Sequence, residues 1–390
     1  MTIDPKLLDY CLTDRQRERV QAVLDHSTQT AAAKALGVDY RRLAESVAAV
    51  KKRAAKAGWS PEHGMVNTAP DGFAVKGTST LYDRRDGSTV MQWVKTSQDQ
   101  ARQEELMRAA VKAMCSEVNP LPPTRTPTHC LDDLMSVYPF GDPHFGMYSW
   151  AAETGADFDL DIAEADLCAA VDYLVDRSPP SKRAALINLG DFFHAENMDG
   201  ITMKSGNVLD MDTRFPMMID VGVRALRRCI ARMLEKHETL EMINAPGNHD
   251  ETMAFFLSVM FRNLLENEPR ITVRDTPTQR HYIEHGKCLI GVVHGHRTKD
   301  AELPGIMATE MPEAWGRTRH RYYYRGHHHH DERREYNGCI VEQFRTLAAG
   351  DAYAVGNGYL SGRDMKCIVM HKEYGEQSRF TCGIDVLRDK

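Results

Sequence analysis

Four consecutive histidines inside the chain, His327 to His330, are the residues whose type and spacing point most directly to chemistry. They follow an apolar run of three tyrosines, which is typical of a strand. Alternate residues of a strand share a face, so His327 and His329 reach the same edge. Neutral imidazole is the commonest metal ligand, and two imidazoles require further ligands elsewhere in the chain. The run by itself is equally compatible with a solvated histidine loop.

Four upstream segments repeat this arrangement, in which an apolar, β-rich run is followed at once by metal-binding side chains. The side chains that follow the four runs are Asp142 and His144, Asp191 and His194, Asn248 to Asp250, and His294 and His296. In open α/β sheets, ligands bind at the carboxyl ends of the strands, where such residues converge. The sequence therefore predicts a metal centre built from five strand ends.

The elements that position these residues alternate between strand and helix from about residue 128. Helical stretches are predicted at 163–176, 213–236 and 251–266, between the strand-like runs. Such alternation predicts a layered α/β core. The β-like runs that follow His281 predict a second sheet.

The first 60 residues form a segment of different character, with three predicted helices. Thr13 begins a capping-box pattern that predicts a helix to about His26. Gly37 ends a second, alanine-rich helix, and a third runs from Tyr40 to about Ala57. The segment has 11 Lys and Arg against 7 Asp and Glu, whereas the whole chain has a net charge of −6. A basic segment of this kind suits a polyanionic partner.

These three predicted helices resemble the helix-turn-helix family of DNA-binding proteins over roughly 45 residues. The resemblance implies that the third helix enters a major groove and approaches phosphates. The residues that it implies as DNA contacts are Tyr40, Arg41, Arg42, Glu45, Lys51, Lys52 and Arg53. A small three-helix bundle that binds a protein or packs on the rest of the chain is the alternative.

Residues 61–127 are expected to link a DNA-binding domain at 1–60 to a catalytic domain at 128–390. Asp86-Gly87 predicts a β-hairpin turn, Ser97 to Gln100 resemble a capping box that opens a helix to about Glu117, and the prolines of 120–127 predict a stiff spacer.

No apolar run approaches the length of a membrane span, about 20 residues. The sequence therefore predicts no membrane partner. The nine cysteines stand singly, without a Cys-x-x-Cys pair, which favours a cytoplasmic protein.

The order of the metal-binding motifs resembles that of the calcineurin-like metallophosphoesterases, over roughly residues 130–330. The matching pieces are Asp142-Pro143-His144, Gly190-Asp191, Gly247-Asn248-His249-Asp250, the strand-end His294 and Gly326-His327-His328-His329. The lettering of Gly190 to His194 is most similar to SbcD-like DNA repair exonucleases. The combination with an N-terminal helix-turn-helix is similar to phage-encoded phosphoesterases. The resemblance implies a metallophosphoesterase sandwich of two sheets flanked by helices, beside a small all-α domain.

The same resemblance implies a two-metal site. The ligands that it implies are Asp142, His144 and His329 for one metal, Asn248, His294 and His327 for the other, and Asp191 as a bridge between them. Mixed nitrogen and oxygen ligands suit manganese, which we expect, and also iron, zinc or nickel. Paired ions of this kind clamp the attacking and leaving oxygens of an in-line displacement.

Three further histidines lie close to these ligands in the sequence. His249 diverges from the adjacent ligand and is expected to protonate the leaving oxygen, with Asp250 orienting it; a structural histidine is the alternative. His194 is expected to position the substrate, or else to pack in the interior. His296 competes with His294 for the metal, because both follow the same strand.

One departure from the family bears on the substrate. Phosphoprotein phosphatases continue the second motif with an arginine that grips a dianionic monoester, whereas this chain has His194-Ala195-Glu196. The departure favours a diester. The sequence therefore predicts a two-metal phosphodiesterase, namely a DNA nuclease, with DNA as its partner. A motor or a replication or recombination protein is a further candidate partner.

Two alternative functions remain open at this point. One is a nucleotide or small-molecule phosphatase or phosphodiesterase, and the other is a DNA-binding regulator with a vestigial phosphoesterase domain. The glycine-rich segment that carries Tyr353, Tyr359, Arg363 and Lys366 either lines a substrate groove or forms a surface loop. The sequence does not determine the oligomeric state.

Overall fold

The computed structural model describes residues 3–61, 73–82, 85, 89–98, 124–202, 206 and 208–388. The chain divides into two compact units, Met1–Ala110 and Val111–Lys390. None of the helices within the described ranges combines the length and the apolar character that crossing a membrane requires.

The first unit begins with a 3-10 turn and three helices. Their bounds are Pro5–Tyr10 for the turn, and Asp14–His26 (α1), Gln29–Leu36 (α2) and Tyr40–Lys56 (α3) for the helices. The three predicted helices are confirmed, and so are their signals: the Thr13 hydroxyl accepts the Gln16 N–H at 3.2 Å, and Gly37 ends α2 with a φ of 64°. Leu43, Val47 and Val50 bury one face of α3 in the core of this unit.

A two-stranded antiparallel hairpin follows, formed by Phe73–Tyr82 (β1) and Thr89–Gln98 (β2). The predicted hairpin is confirmed, with strands longer than expected. Ser97 and Gln98 are strand residues of β2, so the helix predicted to open at Ser97 does not begin there. The remainder of that predicted helix, the hairpin turn at 86–87 and the prolines at 120–123 lie outside the described residues.

The second unit contains the remaining strands and helices. The strands are Leu131–Phe140 (β3), Ser181–Asn188 (β4), Thr239–Asn244 (β5), Ile271–Val273 (β6), His281–His285 (β7), Cys288–Val292 (β8), His320–Arg325 (β9), Glu332–Tyr336 (β10), Cys339–Gln343 (β11), Asp364–His371 (β12) and Gly375–Gly383 (β13). The helices are Ala151–Thr154 (α4), Leu160–Arg177 (α5), Phe215–Leu234 (α6), Glu251–Leu264 (α7), Leu303–Glu310 (α8), Pro312–Arg317 (α9), Ala352–Gly356 (α10) and Ile384–Arg388 (α11). The helices α5, α6 and α7 confirm the three predicted helical stretches.

The strands form two sheets. The first has six strands in the order β13-β12-β3-β4-β5-β6, and the second has five in the order β10-β11-β9-β8-β7. The second sheet predicted from His281 onward is confirmed by β7 to β11, whereas β12 and β13 belong to the first sheet. Ile368 of β12 pairs with Val137 of β3, and nearly all of β12 is buried. Such a strand requires cover on both faces, which the position beside β3 provides.

The two sheets pack face to face, with helices on their outer sides. Tyr322 and Tyr324 of β9 join Val137, Ile187 and other side chains of the first sheet in one apolar cluster. The intervening Tyr323 points the other way and packs with Leu303 and Met307 of α8. This alternation is what a strand buried on both faces requires. The predicted α/β sandwich of two sheets flanked by helices is confirmed.

Candidate metal centre

The carboxyl ends of the parallel strands lie side by side at one edge of the first sheet. Phe140 at the end of β3 pairs with Asn188 at the end of β4, and Asn188 pairs with Asn244 at the end of β5. In the second sheet, Val292 at the end of β8 pairs with Tyr324 of β9. The loops that follow these strands carry all of the predicted ligands, so the register of the sheets brings the ligands together.

The first group of potential ligands is Asp142, His144 and His329. Their ligand atoms lie within 4.8 Å of one another. The Nε2 atoms of His144 and His329 are 3.2 Å apart, and His329 Nε2 is 3.5 Å from Asp142 Oδ1. Two imidazoles that share a metal at about 2.0–2.1 Å hold their nitrogens at roughly this separation. The geometry therefore fits one cation between these three side chains.

The second group is Asp191, His294 and His327, with Asn248 beside it. His294 Nε2 lies 3.1 Å from Asp191 Oδ2 and 3.0 Å from Asn248 Oδ1. Its Nδ1 donates to the carbonyl oxygen of Leu189 at 2.9 Å, which fixes the tautomer and leaves Nε2 as the ligand nitrogen.

The two groups are adjacent. Asp142 Oδ1 lies 3.6 Å from the His294 ring as well as near His329, so a buried carboxylate stands between them. The assignment of Asp191 as the bridge stays a prediction.

Five of the predicted ligands have positive φ angles. The values are 45° for Asp142, 47° for His144, 51° for Asp191, 81° for His327 and 57° for His329. Positive φ costs a non-glycine residue about 1–3 kcal/mol and persists only where the surrounding structure enforces it. Within the described residues, Ser27 alone shares this property among non-glycine residues. The concentration of strained backbone at these side chains is typical of a functional site.

Two glycines allow the loops to approach the carboxylates. A Cβ atom on Gly326 would collide with the carboxylate of Asp142, and one on Gly247 would collide with that of Asp191. The backbone N–H of His327, next to Gly326, donates to both carboxylate oxygens of Asp142, at 2.9 and 3.0 Å. The glycines are therefore part of the geometry that holds the ligands.

The charges of the site fit a cation. Asp142 and Asp191 are buried, with at most 2% of each exposed. Burial opposes a charge on His294, yet the neighbouring carboxylate of Asp191, followed by Asp142, raises its pKa to about 9. Burial lowers the pKa of His327 to about 3, which keeps that ring neutral and able to ligate a metal. Buried carboxylates require a compensating positive charge, and divalent cations supply it while leaving the imidazoles neutral.

His249 lies beside these groups and is oriented by a backbone carbonyl. Its Nδ1–H donates to the carbonyl oxygen of His194 at 2.9 Å, so Nε2 is the nitrogen available to a substrate. The ring stacks on His194 at a centroid distance of 5.2 Å and lines the cleft in front of the metal centre.

Asp250 does not orient His249, contrary to the expectation from the sequence. Its Oδ2 accepts the backbone N–H groups of Phe192 at 2.7 Å and Phe193 at 3.2 Å, and its Oδ1 accepts those of Asp191 and Gly247 at 3.0 and 3.1 Å. Asp250 is fully buried and ties the loop after β4 to the loop after β5. Its role is to position the two ligand-bearing loops, because all four of its bonds go to backbone groups.

His194 and His296 occupy different positions around the centre. His194 is buried, with Nδ1 3.2 Å from His144 Nδ1, and it lies within reach of His144 and His249 as a third potential ligand group. The His296 ring is 5.2 Å from that of His294, but its Nε2 accepts from the Arg297 guanidinium at 2.9 Å. His294, which contacts Asp191 and Asn248, is therefore the better placed of the two rivals.

A cleft with a volume of about 820 Å³ opens in front of these histidines. One wall carries His194, His249 and five of the predicted ligands, namely His144, Asp191, Asn248, His327 and His329. The other is formed by residues of the segment 346–363, including Tyr353, Tyr359 and Arg363. Of the two predictions for this segment, the structure supports the one in which Tyr353, Tyr359 and Arg363 line a groove, and the binding of a substrate in that groove stays a prediction. Lys366 does not belong to it, because its ammonium is buried against Asp331 at 3.2 Å and Asp364 at 3.0 Å.

The residues expected to contact DNA lie on α3 of the first unit. The exposed ones are Tyr40, Arg41, Arg42, Glu45 and Lys52, whereas Lys51 and Arg53 are partly buried. Arg41 and Glu45 form an ion pair at 3.1 Å. The Arg53 guanidinium is engaged within the unit, because it donates to the carbonyl oxygen of Tyr10 and to Gln16, and this disfavours the predicted approach of Arg53 to phosphates. Arg53 fastens the N-terminal turn to α3.

Comparison with known proteins gives distant similarities. No family model and no curated protein matches this chain. The chain is similar to the solved structure of a dimetal phosphatase from Danio rerio, with 8% identity, a TM-score of 0.34, and coverage of 65% of this chain and 100% of the other. It is similar to a novel archaeal phosphodiesterase with 11% identity and a TM-score of 0.33, covering 64% and 99%. It is also similar to a predicted phosphoesterase from Streptococcus pneumoniae TIGR4, with 11% identity and a TM-score of 0.28, covering 64% and 98%. Similarity at this level assigns no substrate and no residue role.

Proposed function

We propose that this protein is a two-metal phosphodiesterase that hydrolyses DNA. The observation that carries the proposal is the pair of adjacent ligand groups, Asp142, His144 and His329 beside Asp191, His294 and His327, at one edge of the sheets. Manganese is the ion we expect, because the mixed oxygen and imidazole donors suit a divalent metal of intermediate softness. The resemblance to SbcD-like nucleases, including a motor or recombination partner, stays a prediction.

The proposed chemistry divides between the ions and the protein. When bound, a pair of divalent ions supplies an activated water and the positive charge that stabilises an in-line displacement at phosphorus. When both ring nitrogens carry a proton, His249 is placed to donate the Nε2 proton to the leaving oxygen, because its Nδ1–H is committed to the His194 carbonyl. His194 holds the plane of that ring by stacking, and Asp250 holds the two loops in register.

The charges along the cleft favour a diester over a monoester. Among the described residues that line it, Arg363 is the one arginine or lysine, and its guanidinium is engaged with the Leu347 carbonyl at 2.8 Å and with Asp166 at 3.5 Å. A dianionic monoester would therefore meet no uncommitted guanidinium at this wall. A diester carries a single negative charge and therefore depends less on such a guanidinium than a dianionic monoester does.

The choice of DNA rests on the first unit. The exposed Arg41, Arg42 and Lys52 lie on α3, a helix of 17 residues that packs against α1 and α2. Sequence-independent phosphate contacts from such a helix would hold DNA and would weaken with salt. The alternative of a nucleotide or small-molecule phosphodiesterase keeps the same metal centre and leaves these cations without a role. The alternative of a vestigial centre is disfavoured because every implied ligand is present.

Two assays test this function. Protein loaded with Mn²⁺ is expected to hydrolyse bis(para-nitrophenyl) phosphate with a higher kcat/KM than para-nitrophenyl phosphate, which has the same leaving group. Asn248→Ala is expected to lower both activities and the bound metal, while Gly305→Ala, at a site with no neighbour within 4 Å, leaves them unchanged. A preference for the monoester would contradict a diesterase. Digestion of labelled single-stranded, duplex and nicked DNA then tests the substrate directly.

A further inference from the structure

The wall of the cleft that faces the metal centre carries two exposed aromatic side chains. Tyr353 is 70% exposed and Tyr359 is 65% exposed, and both line the same cleft as His249 and the metal ligands. Leu360, which follows Tyr359, lines the cleft as well and is also exposed. Large exposed apolar groups beside a catalytic centre mark a binding surface, since water alone gives them no favourable contact.

The backbone that carries these tyrosines is fixed by local hydrogen bonds. Tyr353 lies in α10, whose first turn is capped by the Asp351 carboxylate, which accepts the Ala354 N–H at 2.7 Å. At the other end, the Gly358 N–H donates to the Val355 carbonyl at 3.0 Å and the Tyr359 N–H to the Ala354 carbonyl at 2.9 Å. With Gly358 at a φ of 75°, this is a Schellman motif, which sets the direction of Tyr359 relative to the helix.

The segment is also anchored to the rest of the unit. The Ser149 hydroxyl donates to the Gly350 carbonyl at 2.8 Å, and the Arg363 guanidinium donates to the Leu347 carbonyl at 2.8 Å. The two tyrosine rings are therefore presented on a supported backbone, as a pre-organised binding surface requires.

The chemistry of the cleft changes from one wall to the other. The metal centre wall offers imidazoles and cation ligands, which suit a phosphate. The opposite wall, formed by residues of the segment 346–363 and called the tyrosine wall here, offers the aromatic rings of Tyr353 and Tyr359. The carboxylate of Asp351 on this wall is engaged as the cap of α10. A ligand that fits both walls has an anionic diester and a flat, apolar group joined to it. A nucleotide residue has both parts, but its base is accessible for stacking only when it is unpaired.

We infer that Tyr353 and Tyr359 form a stacking platform for unpaired nucleobases, so that the substrate is single-stranded DNA or a frayed end rather than an intact duplex. The inference rests on the proposed phosphodiesterase function and adds the substrate class. Stacking of bases on aromatic side chains is tolerant of sequence, so the platform selects for strandedness and not for a particular base.

A pair of small substrates separates the platform from the metal chemistry. Methyl para-nitrophenyl phosphate and thymidine para-nitrophenyl phosphate share a leaving group and differ by a nucleoside. Tyr353→Ala and Tyr359→Ala are expected to raise KM for the nucleoside ester, by roughly 5- to 150-fold for each stacked base, with kcat retained. The methyl ester is expected to show no change, because it has no base to stack.

Phenylalanine and leucine variants of the two tyrosines identify the property of the side chain that matters. Tyr353→Phe and Tyr359→Phe retain the ring and are expected to have the KM of the unsubstituted protein. The corresponding leucine variants retain apolar bulk without a ring and are expected to have the raised KM of the alanine variants. Tyr374→Ala provides the matched control, since Tyr374 is 69% exposed and lies at the turn between β12 and β13, away from the residues that line the cleft. It is expected to behave as the unsubstituted protein.

Oligonucleotides decide between a strand and a free nucleotide as the source of the base. The alanine variants of Tyr353 and Tyr359 are expected to lose activity on single-stranded DNA. On an abasic strand, the unsubstituted protein is expected to have low activity, and the variants are expected to have the same low activity. An equal loss on blunt duplex, or an unchanged KM for the nucleoside ester, would overturn the platform. A loss on the nucleoside ester without any loss on the single strand would make a free nucleotide the ligand and overturn the strand assignment. Failure of the unsubstituted protein to hydrolyse even the methyl ester would instead count against the phosphodiesterase function itself.

Discussion

The Nδ1–H of His249 donates to the backbone carbonyl oxygen of His194 at 2.9 Å. A carbonyl can only accept, so this contact keeps a proton on Nδ1 and turns Nε2 towards the cleft, where it can take up a second proton and deliver it to the leaving oxygen. Because the acceptor is a backbone atom, substitution of His194 leaves the acceptor in place. The His249 ring is thus held by a backbone carbonyl of the loop after β4, whereas the backbone N–H of His249 donates to Asp191 Oδ1 at 2.7 Å.

The role of His249 as a proton donor predicts a dependence on the leaving group. His249→Ala is expected to reduce kcat on DNA by roughly 100- to 10,000-fold, because an alkoxide leaves poorly without a proton. The loss on bis(para-nitrophenyl) phosphate is expected to be much smaller, because nitrophenolate leaves without assistance. Bound metal, measured on the same samples, is expected to be unchanged. Equal losses on both substrates would contradict proton donation and would assign His249 to phosphate binding.

Removal of the metal is expected to lower the free energy of unfolding. The buried carboxylates of Asp142 and Asp191 lose their counter-charge, and a ligand at 100 times its Kd contributes about 2.7 kcal/mol to the folded state. Thermal unfolding with and without a chelator measures this change. Asp191→Asn is expected to abolish most of the response to Mn²⁺, whereas Asp172→Asn, at an ion pair on α5, retains it. A full response in Asp191→Asn would remove Asp191 from the ligand set.

The close approach of Gly326 to Asp142 predicts that Gly326→Ala abolishes metal binding. The added Cβ would collide with the carboxylate, which must move away from both the His327 N–H and the metal. Calorimetric titration with Mn²⁺ measures the loss. The matched control is Gly305→Ala in α8, where the Cβ has no neighbour within 4 Å and the free energy of unfolding is expected to rise by about 0.5–1 kcal/mol. Normal Mn²⁺ affinity in Gly326→Ala would contradict the assigned geometry.

Two arginines of α3 are predicted to have different roles, one in DNA binding and the other in the stability of the first unit. Arg42 is exposed, so Arg42→Ala is expected to weaken DNA binding and to reduce the slope of log affinity against log salt by about 1, with no change in the melting temperature. Arg53 is bonded to Tyr10 and Gln16, so Arg53→Ala is expected to lower the melting temperature of the first unit. Fluorescence anisotropy at several salt concentrations and thermal unfolding distinguish the two. An unchanged salt slope in Arg42→Ala would count against α3 as the DNA contact.

His237 predicts a loss of stability in mild acid, away from the metal centre. Burial lowers its pKa to about 4, and its ring bonds to the Tyr138 hydroxyl at 2.8 Å and to Ser181 at 2.9 Å. The unfolded chain, with a pKa near 6.5 for this group, binds the proton first, so stability falls as pH decreases from about 6.5 to about 4, by up to about 3 kcal/mol. Urea unfolding across this range measures the fall. His237→Gln is expected to be less stable at neutral pH but to show a weaker dependence on pH; an identical pH dependence would exclude His237 as the cause.

Local patterns in the sequence determined where the candidate ligands stand. The ends of β3, β4, β5, β8 and β9 could be read from apolar runs, and the rule that ligands gather at carboxyl strand ends then placed Asp142, Asp191, Asn248, His294 and His327 together. The three N-terminal helices were equally readable, because Thr13, Gly37 and the alanines act within a few residues of the backbone that they control. Such signals act between residues that are close in the sequence, so they can be recognised without knowledge of the tertiary structure.

The partners of several side chains were decided only by the tertiary structure. Asp250 bonds to amides 57 to 59 residues earlier in the chain, and Arg53 bonds to Tyr10, contacts that no local pattern specifies. The tyrosine wall faces the metal centre because the chain returns after β11 and β12 pairs with β3, more than 200 residues away in the chain. Pairing over such a distance depends on which surfaces are left to be buried when the sheets form. The sequence therefore determined the chemistry of the ligands, and the packing of the two sheets decided what surrounds them.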